Sequence, residues 1–163
     1  MKYILQLLLA VVFFSCNRRP PYKTGFEGKP LPSFTLQLID STTYINTRDL
    51  HFKKPVVFFA VSPVCPYCAA EMNAIIDNMS TLKNTQFYIF TAWPYSTFKD
   101  FYARYQLNKY PNIVAGVDLA NSFGRYYKIP VVPLTAFYGK DKRLDVVYLG
   151  NLSSRQLKQN IKD

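Results

Sequence analysis

Pro55-Val56-Val57-Phe58-Phe59-Ala60-Val61, then Ser62-Pro63-Val64, then Cys65-Pro66-Tyr67-Cys68, is the stretch that decides how this chain is read. The first seven residues are near-continuously apolar, as a strand covered on both faces of a sheet must be. Beyond the cysteines, residues 69–82 place Met72, Ile75, Ile76 and Met79 at helical spacing. A Cys-x-x-Cys at the junction of a buried strand and a helix sets two sulfurs one helical turn apart. Such a pair can open and close as a disulfide.

The order of the pair assigns expected roles. Pro66 suits the first helical position, where its missing N–H would have had no partner. The unpaired N–H groups and the macrodipole at a helix N-terminus favour a thiolate. Cys65 is therefore the expected nucleophile. Cys68, one turn in, is expected to be more buried and to resolve the mixed disulfide. A zinc half-site and a structural disulfide are the other uses of such a pair. Zinc needs two further ligands, and only His51 and carboxylates could supply them. His51, the one histidine of the chain, lies in a polar loop far from Cys65 and reads as a surface residue, so no metal is expected.

A second signal is Val131-Val132-Pro133-Leu134-Thr135, which sets a proline directly before a strand-like run. Such a proline cannot donate to a central ladder. In cis it would turn the chain tightly and leave the preceding backbone free to face a ligand.

Working outward, Phe34-Thr35-Leu36-Gln37-Leu38 alternates with period two, and 43–45 reads as its return strand. Residues 86–92 read as a second buried strand, 96–107 as a helix and 113–114 as a short strand. Residues 119–127 read as a short helix, and 134–138 with 144–149 as a hairpin. The chain closes with a helix over 153–161, capped by Ser153. Alternating strands and helices that end in a hairpin and a helix predict an α/β fold, a mixed central sheet with helices on both faces.

The first residues read as a leader. After Met1-Lys2, residues 3–14 are apolar except for Gln6. That run is short of the about 20 residues needed to span a bilayer and suits a secretory signal. Phe13-Phe14-Ser15-Cys16 resembles a bacterial lipoprotein lipobox, with Phe13 where leucine is usual. The resemblance implies cleavage before Cys16 and lipid on its sulfur; the other reading is an ordinary signal peptide with an incidental cysteine. The expected organisation is a signal peptide over 1–15, a tether over 16–28 with Arg18-Arg19-Pro20-Pro21 and two glycines, and one domain over 29–163. Of three cysteines, lipid on Cys16 leaves one pair. Export places that pair where disulfides persist.

The chain has 163 residues, 49% of them hydrophobic and 17% aromatic, enough to bury a core. Its formal net charge is +10, spread along the sequence rather than gathered in one tract. That pattern reads as solvated surface charge and not as a nucleic-acid site, with some attraction to anionic lipid or acidic partners.

Taken in order, Gly28-Lys29-Pro30-Leu31-Pro32-Ser33-Phe34, the apolar strand into Cys65-Pro66-Tyr67-Cys68, Glu71 three residues on, and Val132-Pro133 some way downstream resemble the thioredoxin-like superfamily. The nearest type is its exported thiol–disulfide oxidoreductases of the cytochrome-maturation and lipoprotein kind. The resemblance implies a thioredoxin-like fold, a cis bond at Pro133, Cys65 as attacking thiolate and Cys68 as resolving thiol. Val132 and Pro133 would flank the dithiol and pair with substrate backbone, with Pro66 and Tyr67 also facing the substrate. Glu71 matches a family carboxylate that tunes the thiols or relays a proton; the other reading is an acid favoured in the first turn of a helix. The only cofactor implied is the redox-active Cys65–Cys68 pair itself. The implied partners are protein thiols or disulfides, an external thiol protein as electron donor or acceptor, and a membrane reached through lipid on Cys16. The expected location is a bacterial membrane, facing the periplasm.

Departures from the family pattern bear on direction. Val64 stands where the family usually has tryptophan. The Pro66-Tyr67 dipeptide is glutaredoxin-like, and Val132 before the proline resembles periplasmic disulfide oxidases. Kinship with the lipoprotein group favours a reductase, whereas these residues lean toward a more oxidising pair. One rival is a peroxiredoxin-like thiol peroxidase, because Ser62-Pro63-Val64-Cys65 resembles the sequence around a peroxidatic cysteine. Phe58 stands where that motif has a further proline, and Arg125 or Arg143 would have to supply its guanidinium. The other rival is a binding module that kept the fold without the chemistry.

Overall fold

The structure, a computed structural model, describes residues 19–161; Cys16 and the expected leader lie outside the described residues. Seven strands run β1 (Thr35–Leu38), β2 (Tyr44–Asn46), β3 (Val56–Ala60), β4 (Gln86–Thr91), β5 (Ile113–Val117), β6 (Leu134–Tyr138) and β7 (Leu144–Leu149). Among the described residues the α-helices are α1 (Pro66–Asp77), α2 (Met79–Leu82), α3 (Tyr95–Arg104), α4 (Ser122–Tyr127) and α5 (Ser154–Asn160). The strands form one mixed sheet in the order β2-β1-β5-β4-β3-β6-β7. β3, β4 and β5 are parallel; β6 runs antiparallel to β3, and β7 to β6.

The continuous apolar character of β3 follows from its place in the middle. Side chains alternate across a strand, so Val57, Phe59 and Val61 join Cys68, Met72, Ile75, Phe98 and Leu157 on one face. Val56 and Phe58 join Phe34, Tyr88, Phe90, Phe123 and Tyr127 on the other. The second core is largely aromatic. Phe58 stacks on Tyr88 at 4.8 Å between centroids and meets Phe34, Phe123 and Tyr138 within 6 Å. Burying one such ring contributes about 1.5–3 kcal/mol, before its specific ring contacts are counted.

Antiparallel pairing of β3 with β6 matters most for function. Ala60, the last residue of β3, pairs with Leu134, the first of β6. The chain leaving β3 toward Cys65 therefore lies beside the chain arriving at β6 through Pro133.

Several elements differ from the sequence expectation. The single helix expected over 69–82 begins at Pro66 and breaks at Asn78, whose backbone leaves the helical region at φ −111°, ψ 13°. Asn78 Nδ2 donates to Ala74 O and to Ser154 Oγ, each at 2.9 Å. A short amide that bonds its own helix backbone competes with continuation of the helix. The helix expected to reach Leu107 stops at Arg104, where Gln106 turns left-handed at φ 49°. The strand expected over 113–114 runs on to Val117. Gly116 hides it in the sequence, because it carries no side chain for the pattern; a Cβ there would sit 2.8 Å from Gln37 O of β1. The helix expected from 119 starts at Ser122, after Asn121 at φ 48°. Ser153 caps α5 as expected, in a capping box with Gln156.

The described part of the expected tether is bonded to the sheet. Tyr22 N–H donates to Val147 O at 2.8 Å, Gly28 N–H to Leu144 O at 2.8 Å, and Leu144 N–H to Lys29 O at 2.9 Å. The Arg19 guanidinium reaches Leu149 O at 2.9 Å. This segment covers the outer edge of β7, which would otherwise offer a row of unpaired backbone groups.

Candidate functional site: a dithiol at the start of a helix

Cys65 is the N-cap of α1, with extended backbone at φ −82°, ψ 120°, and Pro66 opens the helix behind it. Its Sγ accepts the Cys68 N–H at 3.4 Å, one of the donors a helix N-terminus leaves without an internal partner. On its other side the Cys65 thiol points at Val132 O, 4.0 Å away. The Val132–Pro133 peptide is cis, and Pro133 O accepts the Gly150 N–H at 2.8 Å, which ties this turn to the end of β7.

Cys68 sits behind Cys65 and is fully buried. Its Sγ accepts the Ser62 N–H at 3.4 Å. Burial raises its thiol pKa far above the ordinary value; the Ser62 bond opposes this, while Cys65 and the Glu71 charge add to the rise. The two cysteines are thus unequal, one partly open to solvent and the other enclosed.

Glu71 is also fully buried. Thr135 Oγ1 donates to its Oε1 at 2.6 Å, and Leu152 N–H to its Oε2 at 3.0 Å. Burial outweighs both bonds and lifts the Glu71 pKa to about 7. Glu71 lies in the second turn of α1, and the first turn holds no acid, so the reading of Glu71 as an acid favoured by the first turn is set aside.

The structure brings Cys65, Cys68, Val132 and Pro133 together, with Glu71 of α1 bonded to Thr135 on the strand that follows Pro133. Pro66 and Tyr67 lie on the solvent side of the pair. Around Cys65 the exposed residues are apolar: Val64, Tyr67 and Val132, with Val131 and Trp93 along the neighbouring cleft. Exposed apolar side chains gathered around a reactive group mark a contact surface. His51 lies at the other end of the sheet, beside Lys53, Val56 and Gln86. Arg143 sits on the β6–β7 hairpin, donating to Gly28 O at 2.7 Å and facing Asp141. Arg125 lies on α4, along a groove with Lys128 and Pro130.

Sequence reasoning missed Thr135 and Asp118. Thr135, the one polar residue in the buried run of β6, was the available signal. Asp118 closes β5 and donates nothing to a pattern; its role appears only once α4 is placed.

The Redoxin family model matches residues 26–156. The chain belongs to the Redoxin family. Among solved structures this redoxin is similar to a secreted disulfide oxidoreductase of Mycobacterium tuberculosis, at 20% identity, with 78% of this chain and 92% of that one covered and a TM-score of 0.64. It is similar to a putative thiol:disulfide interchange protein DsbE from Chlorobium tepidum, at 16% identity, 82% and 94% coverage and a TM-score of 0.66. It is also similar to Enterococcus faecalis AhpC, at 11% identity, 82% and 89% coverage and a TM-score of 0.66. At these identities the likeness establishes a thioredoxin-like fold for the redoxin. No curated protein matches the sequence. Among the described residues no helix is long and apolar enough to cross a membrane.

Proposed function

We propose that this redoxin is an exported thiol–disulfide oxidoreductase that works through the Cys65–Cys68 pair, running as a reductase. The observation that carries the reading is the placement of Cys65 at the start of α1, facing the Val132 carbonyl, with Cys68 enclosed one turn behind. The Cys65 thiolate attacks one sulfur of a substrate disulfide. A mixed disulfide forms, and the other substrate sulfur leaves as a thiolate that takes up a proton. Cys68 then gives up its proton and attacks Cys65 Sγ. The Cys65–Cys68 disulfide forms and the second substrate sulfur is released, so two electrons pass from the pair to the substrate.

Cys68 is a poor thiolate source while buried, so its step needs a nearby base. Glu71, with its pKa near 7, fills that place: ionised, it takes the proton of Cys68 directly or through a bridging group. Val132 offers its backbone to an extended substrate segment at the dithiol, with Pro133, Pro66 and Tyr67 shaping the contact. A thiol protein then re-reduces the pair by the same exchange run in the opposite direction. The leader over residues 1–15 and lipid on Cys16 would hold the domain at a bacterial membrane on its periplasmic side; the secreted Mycobacterium tuberculosis neighbour is consistent with export.

The deciding experiment equilibrates the domain with thiol buffers and traps free thiols. A potential near or below about −270 mV supports a reductase, and one near −120 to −180 mV an oxidase or isomerase. Failure of Cys65 and Cys68 to form a disulfide would overturn the dithiol mechanism.

A further inference from the structure

At the end of β5, Asp118 helps line a cleft of about 180 Å³, together with Trp93, Asn121, Ile129 and Val132. Asp118 is 2% exposed. Its Oδ2 accepts the Phe123 N–H at 2.9 Å, which holds the start of α4. Its Oδ1 has no hydrogen-bond partner among the described residues. A buried carboxylate oxygen left alone carries its full desolvation penalty, so a donor that reaches it by displacing the wall of the cleft relieves that penalty.

The place of the cleft selects the donor's source. Val132 belongs to both features: its carbonyl faces Cys65, and the residue lines the cleft. A polypeptide paired with Val132 during disulfide exchange runs past the mouth of the cleft. Small-molecule sites usually enclose about 300–1,000 Å³, so this volume suits one side chain better than a cofactor. The occupant must pass Trp93, Ile129 and Val132 with an apolar stem and end in a donor. Lysine and arginine meet both demands, since their stems pack on apolar surface and their heads carry donors only. A cation also compensates the buried carboxylate, which a neutral amide does not, and it gains from the face of Trp93.

We propose that Asp118 is a specificity residue that receives a lysine or arginine side chain of the polypeptide held at Cys65. The proposal rests on the thiol–disulfide reading for the identity of its ligand. The chain's net charge of +10 repels cationic peptides at long range, so any preference for them must arise from a local contact.

Trp93 lines the cleft and is the chain's only tryptophan, so its emission reports on this site. The test titrates the full chain with peptides that carry serine in place of cysteine and differ only in lysine, arginine or norleucine at the positions flanking it. Lysine and arginine peptides should bind about tenfold tighter than norleucine peptides, and Asp118→Asn should bring that ratio near one. Asparagine keeps an acceptor for the Phe123 N–H, so α4 keeps its start. Equal affinity for lysine and norleucine peptides in the unmodified chain overturns the proposal, as does an emission unmoved by any peptide or a ratio that survives Asp118→Asn. An enclosed water on Oδ1 would give the equal-affinity result. No disulfide is exchanged in this assay, so its failure is distinct from a failure of the exchange chemistry.

Discussion

Cys65 Sγ stands 4.0 Å from the carbonyl oxygen of Val132, a residue 67 positions later in the chain. The contact follows from the antiparallel register of β3 and β6, which sets Ala60 against Leu134. A single strand pairing thus delivers both halves of the site, and the helix that starts at Cys65 supplies the third component, its N–H donors.

The two cysteines should separate cleanly by mutation. Cys65→Ser should abolish disulfide exchange. Cys68→Ser should still attack substrate and then stall, accumulating mixed disulfides visible on non-reducing gels. Full turnover by Cys65→Ser would refute the assignment of the nucleophile.

Glu71 should leave a mark on stability against pH. Its pKa is raised from 4.5 to about 7 in the folded chain, so between these values the folded state binds more protons than the unfolded one. Stability from this group is therefore present in full below about pH 4.5 and falls as pH rises to about 7, by about 3 kcal/mol in all. Glu71→Gln should remove that slope, because glutamine can accept from Leu152 N–H and donate to the Thr135 hydroxyl. Urea unfolding of both proteins across this window measures the difference; parallel curves would contradict it. In the same variant, the second step of exchange should slow and lose its pH dependence near 7.

The aromatic core should be costly to open. Phe58 is fully buried among six rings, so Phe58→Ala should destabilise by about 3–5 kcal/mol. Phe58 faces the side of the sheet away from Cys68. The potential of the dithiol should consequently stay put in molecules that remain folded. Chemical denaturation and thiol-buffer equilibration read the two quantities separately.

The proposed anchor has its own test. Cys16→Ala should abolish incorporation of labelled palmitate and shift the protein from the membrane to the soluble fraction. Unchanged labelling would exclude Cys16 as the lipid site.

What the sequence made legible was whatever one segment decides by itself. The run 55–61, the Cys65–Cys68 spacing, the Val132-Pro133 pair and the Ser153 cap each carry a local signature, and each has its counterpart in the fold. Features set by distant partners were not legible. The break at Asn78 depends on Ser154 across the helix pair, and the length of β5 depends on β1 lying against Gly116. Thr135 and Leu152 acquire meaning only when β6 and the chain after β7 close over Glu71. Asp118 is silent until α4 takes one of its oxygens and leaves the other.

The bonding of residues 19–29 along β7 sets the length of the leash. Were Cys16 lipidated, three residue steps would separate it from Arg19, whose guanidinium bonds Leu149 O and whose carbonyl accepts from Gln156, a span of at most about 11 Å, where the sequence had offered the whole of 16–28. A domain so anchored would ride close against the bilayer, with β7 on the inner end of the strap. Soluble partners would have to come to it there, and partners seated in the same membrane would have the shorter journey.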